Sequence, residues 1–238
     1  ALKCWGSNVN GVLGTGAGGN QPLPANVTGL GAGVAEVSAG SSHTCALMKS
    51  GTVKCWGANV FGQLGDGSKT ARNTPVDVLG LSGVVGLAAG AAHSCALTQA
   101  GGVKCWGSNV GGEVGAGATG GEFLTPTDVQ GLGSGVTALF NSGQFHTCAL
   151  VTGGALRCWG DNEGGQLGDG TKLARPAPIA VVGLPADVAA AAVGGNYSGH
   201  TCALLNSGVA RCWGQNESGQ LGDGTTAAHL TPMDVVGW

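Results

Sequence analysis

Hydrophobic and polar residues alternate in short runs along this chain, and no segment holds a sustained helical period. Val53-Lys54-Cys55-Trp56 and Val76-Asp77-Val78 put every second side chain on one face, the pattern of a half-buried strand. Gly-rich stretches such as Gly65-Asp66-Gly67 separate the runs and supply tight turns and positive φ. The pattern predicts an all-β chain of short strands.

The runs recur. Cys-Trp-Gly occurs five times, with its cysteine at Cys4, Cys55, Cys105, Cys158 and Cys212, at spacings of 51, 50, 53 and 54 residues. Each copy continues into an Asn-x-x-Gly-x-x-Gly stretch, as in Asn59-Val60-Phe61-Gly62-Gln63-Leu64-Gly65, and then a Pro-containing apolar segment, as in Pro75-Val76-Asp77-Val78. A small-residue strand and His-Ser/Thr-Cys-Ala-Leu, as in His93-Ser94-Cys95-Ala96-Leu97, lead back to Cys-Trp-Gly. A multi-strand unit of about 50 residues reads as a propeller blade or a solenoid turn. These spaced motifs together resemble the regulator of chromosome condensation repeat family over nearly the whole chain. The resemblance implies a β-propeller of four-stranded blades. The repeats fall at about 1–33, 34–83, 84–135, 136–187 and 188–238, one domain over 1–238. That makes four to five repeats with one incomplete terminal blade, because the His-x-Cys-Ala-Leu segment appears only four times. The chain opens in mid-pattern, as a processed chain or a fragment would. Three arrangements fit: a piece of a longer propeller, a strained five-bladed ring, or open ends that pair with another copy.

Eight of the nine cysteines form pairs ten residues apart: Cys45/Cys55, Cys95/Cys105, Cys148/Cys158 and Cys202/Cys212. Each pair brackets a turn, and in an antiparallel hairpin centred between them the two positions face each other at near-disulfide distance. Four intrablade disulfides are expected, where the family usually carries apolar or Thr/Tyr-type residues. Eight buried thiols in a reducing compartment are the alternative. Disulfides place the protein outside the cytosol: extracellular, at the cell surface or periplasmic. Cys4 is left over, unpaired or available for an intermolecular bond.

Composition narrows the function. Gly supplies 49 of 238 residues and charged residues only 10%, with a net charge of −3, so no basic surplus serves nucleic acid. An apolar content of 42% can bury a core, and no apolar run reaches the length of a membrane span. No nucleophile elbow, zincin helix or phosphate loop appears, so no catalytic residues, cofactor or metal are assigned and the chain is read as a non-enzyme.

Several recurring residues have a structural and a functional reading. His43, His93, His146 and His200 recur at one blade position; a metal-binding ring is the sharper reading, a structural imidazole at the blade junction the one the resemblance favours. Asp66, Asp169 and Asp223 fit local turn bonding better than calcium, because Thr15 and Ala116 stand at the same place in other repeats. Trp5, Trp56, Trp106, Trp159 and Trp213 read as blade core. Trp238 replaces the Leu that ends the other Pro segments and reads as an apolar plug at a terminal edge. Repeat-to-repeat differences mark a candidate contact face: the lengthened stretches before the later His motifs and an insertion at 119–124 carry Phe123, Phe140, Phe145, Asn196 and Tyr197. Asn26, Asn196 and Asn216 begin glycosylation sequons.

Two non-catalytic functions remain. One is an exported scaffold that self-associates, head-to-tail or edge-to-edge, through its incomplete terminal blade into an extracellular assembly or filament. The other is a secreted protein-binding propeller, inhibitor- or adhesin-like, acting through its loop face. The resemblance supplies precedents in a chromatin-acting nucleotide exchange factor and a secreted beta-lactamase inhibitory protein. The acidic, cysteine-paired chain suits the second better than the first.

Overall fold

Alternating runs broken by glycine can satisfy their backbone only by pairing with their neighbours in sequence, and the computed structural model has this topology. It describes residues 1–141, 144–195 and 199–238. Strands β1 (Lys3–Gly6) and β2 (Gln21–Asn26) form a two-stranded sheet. Four four-stranded antiparallel sheets follow, each made of strands consecutive in the chain. The second comprises β3 (Val34–Ala39), β4 (His43–Met48), β5 (Val53–Gly57) and β6 (Arg72–Asp77). The third comprises β7 (Val84–Ala89), β8 (His93–Thr98), β9 (Val103–Ser108) and β10 (Glu122–Asp128). The fourth comprises β11 (Val136–Phe140), β12 (His146–Val151), β13 (Ala155–Gly160) and β14 (Arg175–Ala180). The last comprises β15 (Val188–Gly195), β16 (Gly199–Leu205), β17 (Ala210–Gly214) and β18 (His229–Asp234). These meanders are propeller blades, and the protein is all-β apart from a short 3-10 turn at Val9–Gly11.

Within a blade, the central hairpin sets the register. Cys45 lies opposite Cys55, Cys95 opposite Cys105, Cys148 opposite Cys158 and Cys202 opposite Cys212. Each pair is a disulfide with its Cα atoms 4.1 Å apart. Cys4, on β1, is a free and half-buried thiol. Desolvation pushes its pKa up, which keeps it protonated and less reactive.

Between blades, one contact repeats. The core lies in the seams where a blade's hairpin residues meet the next blade's tryptophan: Leu47, Leu64 and Val78 pack with Leu87 and Trp106. Trp56, Trp106, Trp159 and Trp213 are fully buried. Each indole N–H donates to a carbonyl in the preceding blade's loop: to Val12 at 2.8 Å, and to Gln63, Glu113 and Gln166 at 2.9 Å. The loop asparagine makes this possible. Asn59 accepts from the Leu64 N–H through Oδ1 and donates through Nδ2 to the Ser68 and Thr70 carbonyls, so the loop is fixed before the indole meets it. Gly65 then turns the chain with φ +67°, and a Cβ there would lie 2.8 Å from Trp106 Nε1.

A second chain of hydrogen bonds runs beside the first. Ser94 donates its hydroxyl to the Gln63 carbonyl, and Thr201 donates to that of Gln166. With their protons so used, these hydroxyls accept from the preceding blade's imidazole: His43 Nε2 to Ser94 at 2.8 Å and His146 Nε2 to Thr201 at 2.9 Å. His93 Nε2 lies 2.8 Å from the Thr147 hydroxyl, which also accepts from the Asn141 amide. In His43 and His146 the protonated nitrogen is therefore Nε2, and Nδ1 is left without a partner among the described residues in His43, His93, His146 and His200. A second proton would sit buried with nothing to accept it. Burial accordingly holds His43 down to about 4, and burial with the charges of neighbouring histidines holds His93 and His146 down to about 3.

Two outcomes follow for stability. The unfolded chain binds protons at these histidines below about pH 6.5 while the folded chain does not, so their contribution is complete above that pH. It is lost as pH falls from 6.5 towards the folded values of about 4 and 3. The loss reaches about 1.4 kcal/mol per pH unit for each histidine. A series of thermal melts should show Tm falling steadily between pH 6.5 and 4; a flat Tm there would contradict the burial of these imidazoles in neutral form. Separately, Gly65→Ala should cost about 3 kcal/mol in urea unfolding, from strained φ plus the clash with Trp106. Gly80→Ala should cost only about 1 kcal/mol, because Gly80 has φ +68° but open space around it. Equal losses at the two positions would remove the indole contact from the account.

Candidate protein-binding surfaces

The recurring polar residues are occupied by the fold. His43, His93 and His146 join blades, as described, and among the described residues no three His, Cys, Asp or Glu side chains are grouped to hold a metal. Asp66 accepts from the Ser68 N–H and hydroxyl and from Arg72, and Asp169 accepts from the Thr171 N–H and hydroxyl and from Arg175. Asp223 accepts from Thr225 and pairs with His229. These bonds hold all three carboxyls below the usual range, outweighing the opposing effect of burial at Asp66 and Asp169. They are turn locks with their oxygens already used.

Several sequence expectations change. Trp5 is not blade core: it is 61% exposed. Its four counterparts are buried because the preceding blade's loop covers them. Phe123 packs against the cores on both sides of the third blade, and Phe140 against the core between the last two. Both are seam residues rather than surface anchors, since the lengthened stretches fold their aromatics inwards. Asn216 is wholly buried and donates to Asp223, Thr225 and Ala227, so it is no glycan acceptor in the folded chain. Asn26 is exposed at the end of β2. Asn196 and Tyr197 lie outside the described residues. Phe145 is half-buried and lines a groove.

Three of the concave surfaces among the described residues bear on these positions. Beside β1, a cavity of about 340 Å³ is lined by Cys4, Trp5, Leu13 and Thr44. In the other blades this space, along the free edge of the Cys-Trp strand, is filled by the His-x-Cys-Ala-Leu strand. On the face of the last blade, a cavity of about 350 Å³ is lined by Ala191, Ala203, Gln220, Leu221 and Gly222. It lies where a following tryptophan would sit. Gly222 has φ +64°, matching Gly65 and Gly168, but no indole faces it. Trp238 lines the rim, 75% exposed, and donates its indole N–H to the Gly208 carbonyl. The third surface is a groove of about 620 Å³ between the third and fourth blades, walled by Phe61, Glu113, Phe145, Asp161 and Glu163. Sequence reasoning found Phe145 but missed Glu113, although Glu113 stands where three other repeats have Gln63, Gln166 and Gln220.

This architecture has known counterparts. The chain is 33% identical over 98% of its length to the ultraviolet-B receptor UVR8 of Arabidopsis thaliana, of which it spans 53%. It is equally similar to the human E3 ubiquitin-protein ligase HERC2, of which it spans 5%. Among solved structures, human WBSCR16 superposes with a TM-score of 0.84 at 25% identity, covering 98% of this chain and 61% of that one. Prp20p of Saccharomyces cerevisiae superposes with a TM-score of 0.80 at 22% identity, covering 91% and 54%. The chain thus spans only about half the length of UVR8 and of these propellers. The repeat model described as Regulator of chromosome condensation (RCC1) repeat matches residues 4–47, 50–97 and 154–204, and a second model of the same repeat matches 34–63, 84–113, 139–166 and 191–220. The chain therefore belongs to the regulator of chromosome condensation repeat family.

Proposed function

We propose that this chain is an exported, non-catalytic repeat scaffold that binds protein through the open faces of its terminal blades, and that the partner there is a second copy of itself. Four disulfides support export. Protein binding has a precedent in fold: Prp20p is described with binding properties towards Gsp1p and histones.

The observation that carries the self-association reading is complementarity between the two ends. Trp5 is an exposed indole on the motif whose four other copies are buried beneath a loop. The Gln220–Gly222 loop is a cradle of the kind that buries those copies, with no indole beneath it. A contact of Trp5 from one copy with this loop of the next would repeat a junction the chain already builds four times. Such a contact is heterologous, so it adds copies head-to-tail into an extended assembly. In this reading Trp238 guards the cradle and moves aside, and Cys4 lies beside the contact as a thiol available for covalent linkage.

Light scattering of the non-reduced protein across a concentration series tests this. The mass should rise above 23.0 kDa with concentration. Trp5→Ala should weaken association by about 30-fold, the loss of a single aromatic anchor worth about 2 kcal/mol. Trp5 is exposed, so the variant should keep its circular dichroism spectrum and melting behaviour. A wild-type chain that stays at 23.0 kDa throughout, or a variant that associates equally well, would overturn the reading.

A further inference from the structure

The groove between the third and fourth blades collects the places where this chain departs from its own repeat. Glu113 replaces the glutamine found at Gln63, Gln166 and Gln220. Asp161 stands where other repeats have Ala58, Ser108 and Gln215, and Phe145 where they have Ser42, Ala92 and Gly199. The fold requires none of these changes, since the sibling residues build the same junction. Yet three residues distant in sequence meet on one wall: Asp161 packs against Gly111, with its Cα 3.6 Å from where a Cβ there would lie, and its backbone N–H donates to the Phe145 carbonyl at 3.0 Å.

The glutamine has two tasks at this position. Its carbonyl caps a loop N–H, as Gln166 does for Gly164 at 2.9 Å, and its amide can donate, as Gln166 does to Asp161 at 2.7 Å. Glu113 keeps the first task, accepting from the Gly111 N–H at 2.9 Å. It has lost the second. Its carboxylate meets backbone N–H groups of its own loop but no side-chain donor among the described residues, although the residue is only 3% exposed. Glu113 therefore brings a buried carboxylate, with no cationic partner among the described residues, to a groove that also contains Asp161 and Glu163. Burial, then the charge of Asp161, pushes the Glu113 carboxyl above its ordinary range. Burial, with a smaller contribution from Glu163, does the same to Asp161. Each carboxyl is in an environment that a cation would relieve. Lys172 lines the groove from an exposed position and forms no salt bridge with them. Phe61 and Phe145 add aromatic surface beside the carboxylates.

We propose that this groove is a docking site for an arginine side chain on an extended basic segment of a partner protein. The guanidinium group would pair with Glu113 and Asp161 and lie against Phe61 or Phe145. Arginine fits better than lysine, because its planar fork can satisfy two carboxylates at once and its face stacks on an aromatic ring. The site is separate from the terminal faces and does not depend on self-association.

The test is fluorescence anisotropy with fluorescein-labelled tetra-arginine, with tetra-lysine and tetra-serine as comparisons, on full-length chain carrying Trp5→Ala so that association between copies does not enter. Tetra-arginine should bind in a salt-sensitive manner and more tightly than tetra-lysine, and tetra-serine should not bind. Glu113→Gln and Asp161→Ser install residues that sibling repeats already carry, so both variants should fold. Each should weaken binding about tenfold or more, and Phe145→Ala should weaken it severalfold. Asp128→Asn removes one exposed charge from another strand and should leave binding unchanged. No binding of tetra-arginine would overturn the proposal. So would equal binding by Glu113→Gln and Asp161→Ser, or a loss in Asp128→Asn as large as theirs, which would reduce the effect to overall charge.

Discussion

The bond from a tryptophan N–H to a loop carbonyl of the preceding blade is the constraint on which the rest of the structure depends. A four-stranded sheet of short strands has two faces and cannot bury both alone. Here the indole closes each seam. It fills the space between sheets with a large apolar ring and satisfies its one donor on a carbonyl aimed at it. The loop asparagine aims that carbonyl, the turn glycine makes room for the ring, and the serine or threonine on the next strand uses the same acceptor. The histidine of the preceding blade then donates to that hydroxyl. Each element is effective only because the others are in place, so the motif residues recur as a set and the seam is cooperative.

The same dependence explains which parts of the structure could be read from the sequence. The strands were legible, because alternation and glycine punctuation are local. So was the cysteine pairing, because a ten-residue spacing across a short turn forces two side chains to face each other. Trp5 was not legible. Its motif matches the other four, and its exposure is decided by whether another blade's loop lies above it. Phe123 and Phe140 were misplaced for a related reason. An insertion signals a changed surface, but a long aromatic on an insertion can turn back into the seam if a cavity is available. Asn216 shows the limit of a three-residue motif: the sequon is intact, while the side chain is consumed by bonds to residues seven, nine and eleven positions on.

One of the two matching repeat models is out of phase with the folded blade, while the other falls within single blades at 34–63, 84–113, 139–166 and 191–220. The match at 4–47 begins on β1, in the two-stranded sheet, and ends on β4, in the next one. A repeat counted by the first model therefore spans the seam, and one counted by the second ends in the loop position that receives the next tryptophan. This is reasonable if the seam carries most of the constraint. The tryptophan must fit the preceding blade's loop, and the loop after its strand must fit the following blade's tryptophan.

A fold whose seams are fixed so tightly leaves function to positions outside the motif. The groove at Glu113 illustrates this. Replacing one glutamine by glutamate leaves the capping bond to the loop intact, so the blade tolerates the change. The same replacement converts a hydrogen-bond donor into a buried negative charge. The cost of that charge is borne by the local site, not by the seam, and it falls when a cation enters. Asp161 and Phe145 extend the effect by adding a second carboxylate and an aromatic wall from the neighbouring blade. No single one of these residues stands out in the sequence as a site. What distinguishes them is that three independent departures from the repeat share one wall, at a junction where the repeat itself asks for none of them.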